Sequence, residues 1–125
     1  MENNIGKQRA APSGKLIDNI DHINPIPTSH GIGNKRVLLA SYETSTKLTQ
    51  IAITDLMEGE ESEPHVHSTM EELFLVTEGE VIIRIEEQNY QLAAGGFMQV
   101  CAGTHHSIKA MTHAKILTIG CASGG

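Results

Sequence analysis

The chain has 125 residues, 39% hydrophobic and 19% charged, a balance that excludes general disorder and suits one core without disulfides. Its 9 basic and 15 acidic residues leave a net charge of −6, which excludes nucleic acid or an anionic membrane as the main partner. No stretch approaches the roughly eighteen apolar residues of a membrane span, and Met1 to Lys7 lacks the apolar run of a secretion signal, so a cytoplasmic location is expected.

Residues 1 to about 14 are polar and punctuated by Gly, Pro and Ser, which predicts an irregular arm. A short apolar series follows (Leu16, Ile17, Ile20, Ile23, Ile26) and ends at Asn24-Pro25-Ile26-Pro27. Those prolines exclude a central strand or a continued helix, so a short helical turn or an edge segment is expected. His30-Gly31-Ile32-Gly33-Asn34 reads as a turn. From Lys35 the pattern becomes β. Predicted strands run over Val37 to Ser41, Leu48 to Leu56, Glu72 to Thr77, Val81 to Glu86, Tyr90 to Ala93, Phe97 to Cys101, Ser107 to Met111 and Lys115 to Gly120. Glu78-Gly79-Glu80 is a hairpin bend, and Gly95-Gly96 and Ala102-Gly103-Thr104 are further turns. Short strands at this spacing predict an all-β sandwich or barrel over residues 35–125, preceded by an arm and edge segment over 1–34. Aromatic residues are only Tyr42, Phe74, Tyr90 and Phe97, so the core must be built from Val, Ile, Leu and Met. Cys101 and Cys121 are too few for a disulfide framework and are expected as reduced thiols in or near that core.

Metal chemistry accounts for one set of residues. In extended backbone, His65-Val66-His67 places two imidazoles on one face, roughly 6.6 Å apart along the strand, so both can converge on one ion. Glu72 shares its face with Phe74 and Val76 and therefore points inward, where an unpaired carboxylate is costly and a divalent cation offsets that cost. Glu71 is the competing carboxylate, but it shares a face with Leu73 and Leu75 and should pack on the opposite side. His106 follows the Ala102-Gly103-Thr104 turn and supplies a fourth donor; its neighbour His105 cannot face the same way in extended backbone. Three imidazoles and a carboxylate suit Fe(II), Mn(II), Ni(II), Co(II) or Zn(II) rather than Ca²⁺ or Mg²⁺. Taken singly, a His-x-His in a polar segment reads as a solvated pair and a Glu at a strand start as surface. Their joint occurrence carries the argument.

The spacing of these residues resembles the cupin family. Gly59-x5-His65-x-His67-x4-Glu72-x6-Gly79 matches the first cupin motif at every position, and Gly95-x5-Cys101-x-Gly103-x2-His106 resembles the second. Cys101 stands where that pattern normally has proline, and Ala110 where it often has asparagine; neither is a ligand position. The resemblance spans about Val37 to Gly120. It implies a jelly-roll β-barrel of two facing antiparallel sheets, one divalent transition metal held by His65, His67, Glu72 and His106, and commonly a homodimer. The near-continuous apolar strands Val81-Ile82-Ile83 and Ile116-Leu117-Thr118-Ile119 point to a dimer as well.

The resemblance does not select a reaction, because the fold hosts isomerases, epimerases, dioxygenases, decarboxylases and binding domains. A metal enzyme acting on a small oxygen-rich metabolite is expected, with sugar isomerisation or related chemistry of a keto or hydroxy acid as the first choice. A non-catalytic carbohydrate- or acid-binding protein and an Fe(II) dioxygenase are the alternatives. Tyr42, Glu43, Tyr90 and Gln99 are candidate acid–base partners, if they face inward.

Overall fold

Alternation decides which residues enter the barrel, and the computed structural model describes residues 8–11 and 14–123. Strands β1 (Gln8–Ala11) and β2 (Gly14–Ile17) form a two-stranded antiparallel ribbon. The arm expected over residues 1 to about 14 otherwise lies outside the described residues, and the part within them is a strand. A 3-10 turn over Ile20–His22 follows, its amide at Asp21 donating to the side chain of Asn19 at 2.9 Å. The two-residue strand β3 (Ile26–Pro27) then pairs with β4 (Asn34–Ala40). Helical turn and edge segment, set as alternatives by the prolines, are thus both present. Proline is accommodated because β3 is the outermost strand and needs a donor on one side only.

The remaining strands are β5 (Leu48–Leu56), β6 (Met70–Glu78), β7 (Glu80–Ile85), β8 (Gln88–Ala93), β9 (Phe97–Val100), β10 (His106–Ala110) and β11 (Ala114–Ala122). They build two antiparallel sheets, one ordered β3-β4-β5-β11-β6-β9 and a smaller one ordered β10-β7-β8. The architecture is all-β, the two facing sheets of a jelly-roll barrel. Among the described residues no helix is long and apolar enough to cross a membrane.

In β5, β6 and β11 the even-numbered residues Leu56, Phe74, Val76, Ala114 and Ile116 point into the barrel. They meet Val81 and Ile83 of β7 and Ala110 of β10 from the opposite sheet. Val76, Val81, Ile83 and Ile116 are essentially inaccessible, each worth roughly 1.5–3 kcal/mol of burial. The crossing from one sheet to the other depends on Gly79 between β6 and β7. Its φ of 80° is left-handed, and a Cβ there would collide with the backbone of His113 and Ala114. Leu56, Phe74 and Ile116 of this apolar cluster also line a cavity that they share with polar residues.

Candidate metal centre

The site is assembled from an irregular segment and two strands. Residues 61–69 contain no regular strand, yet they are bound to β10 by isolated bridges at Glu61–Lys109 and His65–His106. The backbones of His65 and His106 exchange both amide hydrogen bonds, each 2.9 Å, which sets their side chains side by side. The amide of Gly103 donates to the carbonyl of His67 at 2.8 Å, tying the turn after β9 to the second imidazole. Glu72 enters from β6, in register with Gly120 on β11 and Val100 on β9.

One donor atom from each of His65, His67, Glu72 and His106 lies within 4.8 Å of all the others. Two donors bonded to one ion at roughly 2.0–2.2 Å stand roughly 3 Å apart when adjacent and up to about 4.4 Å apart when opposite, so shifts of tenths of an ångström complete the shell. The ring orientations of His65 and His106 suit ligation through Nε2. The Nδ1 of His65 faces the carbonyl of Glu63 at 3.0 Å, and that of His106 faces the carbonyl of Thr104 at 3.0 Å. Each carbonyl holds the hydrogen on Nδ1, so that Nε2 is the nitrogen turned toward the cluster. The Nε2 of His106 is 3.0 Å from Oε1 of Glu72. The Nε2 of His67 is buried, is 3.5 Å from the same oxygen, and has no hydrogen-bond partner. A buried, unpartnered imidazole nitrogen beside a carboxylate and two further imidazoles is what a bound cation would resolve.

Electrostatics favour the same assignment. Burial raises the pKa of Glu72, but the hydrogen bond from His106 and the charges of His67, His106 and His65 outweigh it, so the carboxyl is held below its ordinary value. His106 is pulled down by burial and raised further by Glu72 and by the Thr104 carbonyl, for a net rise. His65 is lowered, chiefly by burial, and is therefore kept neutral. The pair Glu72–His106 is an ion pair whose shared proton a metal ion could replace.

The competing residues fall elsewhere. Glu71 accepts from the side chain of Gln99 at 3.1 Å on the outside of the sheet, and His105 is exposed. The candidate acid–base partners do not reach the site. Tyr42 is 89% exposed, Tyr90 is exposed, Glu43 is bound by Lys15 at 2.7 Å, and Gln99 is spent on Glu71. Cys101, expected in or near the core, is exposed, because it follows the last residue of β9 and opens the turn. Cys121 is half-buried.

A cavity of about 280 Å³ opens on His65, His67 and Glu72, with His106 buried behind them, and the residues that sequence patterning missed line it. His30 stacks on His65 with ring centroids 4.0 Å apart and lies 6.2 Å from His67. It sits in the β3–β4 hairpin, where the Thr28 amide donates to the Gly33 carbonyl at 3.3 Å and the Thr28 hydroxyl donates to the Ile32 carbonyl. Burial, and then the charge of His65, hold His30 below the usual histidine pKa. Lys35 and Gln50 also face the cavity, with Lys35 Nζ donating to Gln50 Oε1 at 3.1 Å.

The model of the cupin domain matches residues 52–120, more than half of the chain. The chain belongs to the cupin family. No curated protein matches it significantly. Among solved structures, this cupin resembles a predicted oxalate decarboxylase of Thermotoga maritima, with TM-score 0.79, 20% identity, and coverage of 86% of this chain and 100% of that one. It also resembles a putative ethanolamine utilization protein Q of Salmonella typhimurium (TM-score 0.78, 15% identity, 94% of both chains). Ectoine synthase of P. lautus is a third (TM-score 0.73, 17% identity, 86% and 78% of the two chains). At these identities the likeness is one of fold. The cupin's three imidazoles and one carboxylate can hold a metal ion.

Proposed function

We propose that this cupin is a mononuclear metal enzyme that acts on a small oxygen-rich metabolite, with His65, His67, Glu72 and His106 as the metal ligands. The observation that carries the reading is the unpartnered Nε2 of His67 inside a cluster whose other donors are already oriented. Nitrogen donors with one carboxylate suit Fe(II), Mn(II), Ni(II), Co(II) or Zn(II). Such an ion, when bound, supplies a Lewis acid that polarises a carbonyl or acidifies a hydroxyl. The chain's own residues do the rest. Leu56, Phe74 and Ile116 make the apolar floor of the cavity and exclude water. His30, kept neutral and stacked on His65, is the one cavity imidazole outside the ligand set and can take up a proton. A neutral base beside a polarised carbonyl supports isomerase-type chemistry on a sugar or a keto or hydroxy acid.

Elemental analysis of the purified protein tests the reading directly. One equivalent of a transition metal is expected in the wild type and none in His67→Ala, with the variant still folded by circular dichroism. Unchanged metal content in His67→Ala would remove the ligand assignment. Turnover across a panel of sugars and keto acids then separates an isomerase from a non-catalytic binding protein. O₂ uptake by the iron-loaded form identifies a dioxygenase instead.

A further inference from the structure

The cavity contains one carboxylate and one side-chain cation of the Lys or Arg type. Glu72 is the carboxylate, and its charge faces the imidazoles of His106 and His67. Lys35 is the cation. Among the described residues no carboxylate lies in ion-pair range of its Nζ, and its recorded partner is the neutral amide of Gln50 at 3.1 Å. A surface lysine would normally extend into water. This one lies along the inside of the large sheet.

Register explains how it gets there. Lys35 opposes Thr54 on β5, and Thr54 lines the cavity, so Lys35 starts on the inner face. Gln50 lies four residues before Thr54 on the same inner face and draws the ammonium along the strands. Gln50 opposes Gly120 on β11, and Gly120 opposes Glu72 on β6, so all three form one row across the sheet. With neighbouring strands about 4.8 Å apart, the backbones of Gln50 and Glu72 are separated by about 9.6 Å. Both side chains reach inward from that separation into one cavity. Lys35 and three of the four donor residues, His65, His67 and Glu72, therefore face a common space. The hydroxyls of Thr54 and Thr118 line it as well.

We propose that Lys35, held by Gln50, binds a carboxylate, so that the ligand of this cavity is a small organic acid anchored by its carboxylate at Lys35 and by oxygen donors at the metal centre. The proposal rests on the metal reading above and narrows its substrate class from oxygen-rich metabolites to acids. A charge-assisted hydrogen bond from ammonium to carboxylate supplies the affinity, and the apolar floor strengthens it by excluding water.

Isothermal titration calorimetry on the full chain loaded with Mn(II) tests it, using malonate, succinate, glutarate and adipate against propionate, butyrate and valerate. The best diacid should bind about ten- to a hundredfold more tightly than the monoacid of nearest length, the gain expected of one further charge-assisted bond. Lys35→Met should bring that ratio close to one with manganese content unchanged, and Lys35→Arg should restore most of it. A wild type that shows no diacid preference, or a Lys35→Met protein that keeps it, overturns the proposal. Manganese content, measured before any acid is added, reports on the ligand cluster alone. If the wild type takes up none of Mn(II), Fe(II), Co(II), Ni(II) and Zn(II), the metal reading falls, and the acid proposal falls with it; if it takes up one of the others, the titrations are made with that metal.

Discussion

Replacing Glu72 by glutamine separates the metal centre from the fold that carries it. The side chain is 13% exposed, receives a 3.0 Å hydrogen bond from His106, and provides the only carboxylate of the cluster. In the metal-free protein the amide oxygen of Glu72→Gln can still accept from His106. The bond changes from charge-assisted to neutral, a loss of about 1 kcal/mol that is partly offset because no charge is then buried. For a domain of this size about 1 kcal/mol corresponds to about 3–5 °C in Tm. The metal-bound protein responds differently. With free metal at a hundredfold above Kd, the wild type gains about 2.7 kcal/mol, or about 8–13 °C. Loss of an anionic ligand weakens affinity by at least about a hundredfold, which leaves free metal near Kd and a gain of only about 0.4 kcal/mol. Differential scanning calorimetry with and without Zn(II) or Mn(II) should therefore show a large metal-induced shift in the wild type, and about 1–2 °C in Glu72→Gln. A variant whose metal-induced shift equals that of the wild type refutes the placement of Glu72 in the coordination shell.

Ile83→Ala empties a position with no solvent exposure at the centre of the smaller sheet and should cost about 2–5 kcal/mol, read from the urea midpoint, with metal content unchanged. His30→Ala removes the ring stacked on His65 and should weaken metal binding by about two- to tenfold without abolishing it, as calorimetry with Zn(II) would show. The pH dependence follows from two opposed shifts. His106 is raised in the fold, so its contribution to stability is present below the ordinary histidine pKa of 6.5 and is lost as pH rises through its folded pKa. Glu72 is lowered, so its contribution is present above 4.5 and is lost as pH falls through its folded pKa. Metal must displace the His106 proton, so affinity should fall steadily as pH drops below the raised pKa, with proton release visible in buffers of different ionisation enthalpy. Affinity that does not change across that range would exclude His106 as a ligand.

The cluster of His65, His67, Glu72 and His106 was legible because local rules fix where its members face. Alternation turns Glu72 inward with Phe74 and Val76 and turns Glu71 outward toward Gln99. The turn at Gly103 brings His106, rather than His105, to face His65. Lys35 and Gln50 were not legible, and β4 shows why. Its register against β5 shifts between Val37 and Leu39, so residues before and after the irregularity reverse faces, and no period of two runs through the strand. An inward lysine also breaks the apolar pattern by which an inner face is recognised. His30 was hidden for another reason. Its turn is polar and rich in glycine, and only the pairing of β3 with β4, which joins residues Ile26 and Pro27 to Lys35 and Asn34, folds it over the cavity. Tyr42 and Cys101 illustrate the converse, since residue chemistry suggested roles for positions that turns leave in solvent.

The stretch bearing His65 and His67 has a second consequence for the molecule. In the smaller sheet, β10 is an outer strand whose free side would offer its amides and carbonyls to any other chain. Residues 60–65 occupy that side. Ser62 donates to the Ile108 carbonyl at 2.9 Å, the Ile108 amide donates to the Ser62 hydroxyl at 3.0 Å, and the Ala110 amide donates to the Glu60 carbonyl at 2.9 Å. The peptide that presents two imidazoles thus also blocks intermolecular strand addition. A lesion that loosens it would cost the protein two members of the imidazole cluster and its protection against aggregation together.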